Sequence, residues 1–111
     1  MHDPAEGLAS DQLDEELIKT FRRAVTATYD TLAKMGLGDS EGLDEYGPIE
    51  MAHRLLKGPR TSPGFARLWE MGKLHMSIEA LVLRKEFQSL FTDAERNVAR
   101  ERLVNKGYEV N

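Results

Sequence analysis

The stretch GFARLWEMGKLHMSIEALVL, residues 64–83, decides the fold. It places Phe65, Leu68 and Trp69 three and four apart, then Gly72, and then Ile78, Leu81 and Val82 behind Ser77. Spacings of three and four gather side chains on one face of a helix, whereas strict alternation would mark a strand. Two short helices joined by the link KLHM are therefore expected. The first starts at the cap pair Ser62-Pro63 and ends at Gly72, and the second is capped by Ser77 and runs toward Phe87. At this spacing Phe65, Leu68 and Trp69 read as core rather than as a stacking wall for a ligand. Trp69 is expected to be buried against a preceding helix, beside Phe21 or Val25.

That preceding helix is the clearest in the chain. From Ser10 to Met35 the residues Leu13, Leu17, Phe21, Ala24, Val25, Thr28, Leu32 and Met35 recur along one helical face. Ser10 suits the N-cap, Asp11, Asp14 and Glu15 suit the positive end of the helix dipole, and Gly36 suits a left-handed stop. Residues 1–9 are expected to be flexible, and GLGDSEGLDEYG, residues 36–47, to form an acidic loop. Pro48 then opens a short helix bearing Ile49, Ala52, Leu55 and Leu56, which Gly58 stops. Near the C-terminus Thr92 and Glu95 occupy the reciprocal positions of a capping box, opening a last helix through Val98, Ala99 and Leu103 to Gly107. The expectation is one all-α domain, residues 1–111, of about five helices, with the long N-terminal helix packed against the shorter ones.

Composition narrows the function classes. At 41% hydrophobic and 31% charged residues the chain reads as globular, and its 111 residues suffice for one core. No apolar run has the length of a membrane span, and the acidic start lacks the basic and apolar regions of a secretory signal. A cytoplasmic setting with no membrane partner is the default expectation. The absence of cysteine excludes disulfides, zinc-thiolate centres and thiol catalysis. Net charge is −4, but residues 1–47 hold eleven acids against four bases, and residues 48–111 hold eleven bases against eight acids. Such a split fits two halves that attract within the fold, a homodimer, or one face meeting an anionic partner.

The strings AHRLLKGP, SPGFARLWEMGKLHMSIEALVL, LFTDAE and ARERLVNKGY, spread between Gly47 and Tyr108, resemble a family of small, uncharacterised bacterial open reading frames. The shared pattern is a Leu-Leu pair, Gly-Phe and Leu-Trp, a Ser/Thr-x-Glu-Ala-Leu-Val-Leu segment, Leu-Phe-Thr, an Ala-Arg helix and a closing Gly-Tyr. It covers a little over half of the chain. The resemblance implies a helical fold, and it carries no catalytic assignment. Members usually have an acid where this chain has His75.

The chemistry-bearing residues are few. His75 and Glu79 stand four apart and, with His53, form the only set compatible with a metal or with acid–base work. A closed metal site needs further ligands, and Glu79 is more simply an acid in the first turn of a helix, so neither a metal nor a cofactor is expected. The helix start in TSPGF, with Arg60, Thr61, Ser62 and Arg67, resembles an anion site. Arg96 and Arg100 lie one turn apart on the last helix, where they can meet phosphates or an acidic protein, although Glu95 and Glu101 interleave with them. No nucleophile elbow, phosphate loop or framed pair of acids occurs, so an enzyme is not expected. The reading is a protein-interaction or regulatory module, an accessory to a larger bacterial machine, with Arg60, Arg67, Arg96 and Arg100 as partner- or anion-binding residues. The alternative is a nucleic-acid-binding domain that uses the basic C-terminal half, with an arginine-rich helix after a short apolar one.

Overall fold

A computed structural model describes residues 4–37 and 45–110, with side chains described from residue 15 onward. The described residues form helices and turns with no strand, so the chain is all-α. The elements are α1 (Pro4–Lys34), α2 (Pro48–Lys57), α3 (Phe65–Glu70), a 3-10 turn at Leu74–Met76, α4 (Ile78–Val82), a second 3-10 turn at Lys85–Leu90, and α5 (Asp93–Val104).

Helix α1 begins six residues before the expected cap at Ser10 and ends where Gly36 adopts a φ of 75°. From residue 15 onward its inward face is the expected one: Phe21, Val25, Thr28 and Leu32 are buried, joined by Tyr29, while Leu17, Ala24 and Met35 are partly buried; the Leu13 side chain lies outside the described ones. Residues 1–3 of the expected flexible start, and residues 38–44 of the expected acidic loop, lie outside the described residues.

The shortest helix is the most buried. All five residues of α4 are buried, including Glu79. α4 packs against α1, α2 and α5 and contributes to two apolar clusters. Ile78, Leu81 and Val82 join Phe21, Val25, Tyr29, Ala52, Phe87 and Ala99 in one. Ala80 joins Leu32, Phe65, Leu68, Leu74 and Leu103 in the other. Ser77 caps α4 as expected, its hydroxyl accepting from the Ala80 amide at 3.1 Å. The helix does not continue to Phe87. Arg84 adopts an extended ψ of 140°, and Phe87 enters the core from the second 3-10 turn to meet Phe21 edge-on, ring centroids 5.0 Å apart.

Trp69 is not buried. Its relative exposure is 46%, and its indole N–H donates to the Lys106 carbonyl at 3.1 Å, with the Lys106 ammonium 4.9 Å from the ring centroid. A helix of six residues offers a narrow inward stripe, and Phe65 and Leu68 fill it. The indole N–H also needs an acceptor, which a dry core against α1 would have to supply. The ring instead closes over the chain that follows α5.

Candidate functional site

α2 and α5 pack beside each other, and the sequence makes both amphipathic. On α2, Met51, Ala52 and Leu56 face the core, while Glu50, His53 and Lys57 fall on an adjacent side. On α5, Ala99 and Leu103 face the core, while Ala94, Glu95 and Val98 fall toward α2. The two lateral faces enclose a groove of about 550 Å³ lined by Glu50, His53, Leu56, Lys57, Thr92, Ala94, Glu95 and Val98.

The polar feature of this groove is a histidine–carboxylate pair. His53 Nδ1 hydrogen-bonds Glu95 Oε2, and the imidazole also packs on Phe91 with centroids 5.2 Å apart. The other carboxylate oxygen completes the capping box: Glu95 Oε1 accepts from the Thr92 amide at 2.9 Å, and Thr92 Oγ1 accepts from the Glu95 amide at 3.1 Å. Burial by itself would raise the pKa of this carboxyl, toward the neutral form. The Thr92 amide and hydroxyl and the neighbouring His53 outweigh it and hold the Glu95 pKa below its ordinary value. An ionised carboxylate only accepts hydrogen bonds, so His53 must carry a proton on Nδ1. No hydrogen-bond partner of Nε2 is found among the described residues.

The residues singled out in the sequence are dispersed. His75 is exposed in the first 3-10 turn and Glu79 is fully buried, so the two share no site. Glu79 is instead the centre of an internal network. Its carboxylate accepts from the Ser62 amide at 2.8 Å, from the Ser62 hydroxyl and from Arg102 Nη1 at 3.3 Å. Arg102 also donates to the carbonyls of Leu55 at 3.2 Å and Gly58 at 2.6 Å. The anion at the TSPGF turn is thus the chain's own Glu79, held by Ser62 and Arg102 rather than by Arg60 and Arg67. Arg60 is exposed in the α2–α3 loop, and Arg67 pairs with Glu70 on the exposed side of α3 at 3.1 Å. Arg96 and Arg100 come together in a small recess with Asp93 and Asn97. Arg96 donates to Asp93 at 3.3 Å and Arg100 to Asn97 at 2.7 Å. Residues 93, 96, 97 and 100 lie on the opposite side of the buried stripe of α5 from 94, 95 and 98, so this recess is separate from the groove.

The sequence reads Glu95 as a cap interleaved with Arg96 and Arg100, and groups His53 with His75 and Glu79; the structure instead pairs His53 with Glu95 and leaves His75 and Glu79 apart. The signal for the groove was the recurrence of Glu50, His53 and Lys57 at three and four on α2, a polar face beside its apolar one. Among the described residues, no group of three or more His, Asp or Glu side chains is placed to hold a metal ion, and no helix is long and apolar enough to cross a membrane. No protein-family model, curated protein or solved structure matches the chain.

Proposed function

We propose that the chain is a protein-interaction module whose α2/α5 groove holds a short segment of a protein partner. The observation that carries this reading is the groove itself, whose lining combines Leu56, Ala94 and Val98 with Glu50, Lys57 and Thr92. A volume near 550 Å³ falls within the span of roughly 300–1,000 Å³ typical of sites that hold a small group. From Glu50 to Lys57 the α2 wall runs about 10 Å at 1.5 Å per residue, the length of two helical turns. That room suits one large side chain and its neighbours, not a long docked helix. The opposite charges of Glu50 and Lys57 give the polar rim that the flanking backbone of a peptide requires. An accessory role in a bacterial cytoplasmic machine belongs to the same proposal.

Selection of random peptides on the full chain, followed by calorimetry, tests it. Val98→Glu places a charge on the groove floor and should weaken the selected peptides at least about tenfold, with helical circular dichroism retained. The double variant Arg96→Glu/Arg100→Glu lies outside the groove and should leave peptide affinity within about twofold. Loss of binding in the arginine variant alone would move the interface to the far side of α5. Duplex DNA binding that falls steeply with salt and needs Arg96 and Arg100 would instead support the nucleic-acid alternative.

A further inference from the structure

The recess on the other side of α5 has a chemistry unlike that of the groove. Asp93, Arg96, Asn97 and Arg100 line a volume of about 290 Å³, so two cations meet one acid and one amide there. We infer that this recess binds a single phosphate group, held between the guanidinium groups of Arg96 and Arg100. The inference is independent of the docking role proposed for the α2/α5 groove.

Three observations carry it. First, the Arg96 side chain is only 18% exposed, and its Nε–H is buried without an acceptor among the described residues. Its ionic partner Asp93 is 96% exposed and meets Nη1 at 3.3 Å, a contact that water screens. A buried donor without an acceptor costs free energy, and a phosphate offers several oxygens at once. A guanidinium that turns from Asp93 to such an anion donates Nε–H and Nη–H to it side by side. Second, Arg100 has no ionic partner among the described residues; its Nη1 donates at 2.7 Å to the neutral amide oxygen of Asn97. Arg96 and Arg100 stand one helical turn apart, close enough for one anion to meet both. Third, Arg96 ends the first turn of α5, whose dipole is positive at this end and favours an anion over a further cation. Glu95 is engaged by His53 and Thr92, which leaves Asp93 as the acid of the recess against two arginines. The sequence of α5 also limits the ligand to one phosphate. Asp93 bounds the recess at one end, and the next positions along the same face beyond Arg100 are Leu103 and Val104, so a second phosphate in line finds no cation on this helix.

Titrating the isotope-labelled full chain with inorganic phosphate, against sodium chloride at matched ionic strength, tests the inference through the arginine Nε–H signals. Near neutral pH the Nε–H resonances of Arg96 and Arg100 should shift and saturate with phosphate, with a Kd in the millimolar range, and stay nearly still with chloride. Arg100→Gln should weaken phosphate at least about fivefold, whereas Arg60→Gln, in the α2–α3 loop, should leave it within about twofold. The Nε–H shifts are read on the unmodified chain, so they remain decisive if a variant does not fold. A capped Gly-phosphoserine-Gly peptide separates the sources of the phosphate. Tighter binding than inorganic phosphate assigns the group to a modified side chain of a partner, and equal or weaker binding assigns a free phosphate. Absence of saturable shifts at Arg96 and Arg100 would overturn the site. A short DNA duplex that perturbs the same arginines more tightly than either probe, with affinity falling steeply in salt, would replace the single phosphate with a nucleic-acid backbone.

Discussion

Glu79 and Arg102 carry the largest single-residue consequence. The carboxylate has no exposed surface and the guanidinium side chain is 12% exposed, so each depends on the other and on fixed dipoles for the solvation it has lost. The pair joins the end of α2, the α2–α3 loop, α4 and α5 through five hydrogen bonds. Removing one partner leaves a charge stranded, so Arg102→Met should destabilise the chain by about 3–5 kcal/mol in urea unfolding. The double variant Glu79→Leu/Arg102→Met should recover part of that loss, but not all of it, because the Leu55 and Gly58 carbonyls stay without their donor. None of this was legible beforehand, since Glu79 and Arg102 stand on different elements and Arg102 reads in the sequence as one more cation on a charged helix. Glu95 gives a second test at the same scale. Its folded pKa is depressed, so its contribution is complete above the unfolded carboxyl value of about 4.5 and is lost as pH falls through the folded value. The stability gap between the wild-type chain and Glu95→Gln should therefore be widest near neutrality and close on acidification below roughly pH 4.5. A gap unchanged down to about pH 3 would contradict the assigned ion-pair and capping contacts.

At the scale of elements, several caps and stops are readable because they are local, but not all of them. Helix α3 starts at Phe65 behind Gly64 rather than at the expected Ser62-Pro63 pair, whose Ser62 binds Glu79 instead, and α1 starts at Pro4 rather than at Ser10. The Ser77 cap, the Thr92/Glu95 capping box and the positive φ of Gly36 and Gly72 all follow from residues within one turn of the helix end. The end of α4 and the exposure of Trp69 were not readable, because each is set by a neighbour distant in sequence. For Trp69 that neighbour is Lys106, so Trp69→Phe should keep the cation contact, lose the N–H bond and cost only about 0.5–1.5 kcal/mol. A loss several times larger would mean that the indole is buried after all. Gly64 shows the reverse case, a small residue with a distant reason. It has a φ of 76°, and a Cβ built there would lie 2.5 Å from Leu32 Cδ2 on α1. The turn entering α3 can therefore press on α1 only without a side chain. Gly64→Ala combines a left-handed backbone cost of about 1–2 kcal/mol with overpacking against Leu32, and should lower thermal stability by more than either effect alone. An unchanged unfolding temperature would show that this close approach is not required.

Across the whole molecule, periodicity carried the fold class, since apolar spacings of three and four run through every segment that became a long helix. The site was less legible, because a groove is a relation between faces. His53 and Glu95 are 42 positions apart, and nothing local to either announces the other. The arginines that drew attention by charge, Arg60, Arg67, Arg96 and Arg100, are divided among a loop, α3 and the far side of α5. The α2/α5 groove gathers an apolar lining, flanking charged residues and the His53–Glu95 pair. The most direct measurement is a map of backbone amide shifts in the labelled full chain as a selected peptide is added. The changes should concentrate on residues 50–57 of α2 and on the facing residues 94, 95 and 98 of α5, and Val98→Glu should remove them. Changes confined to Trp69 and residues 106–108, with α2 silent, would contradict it.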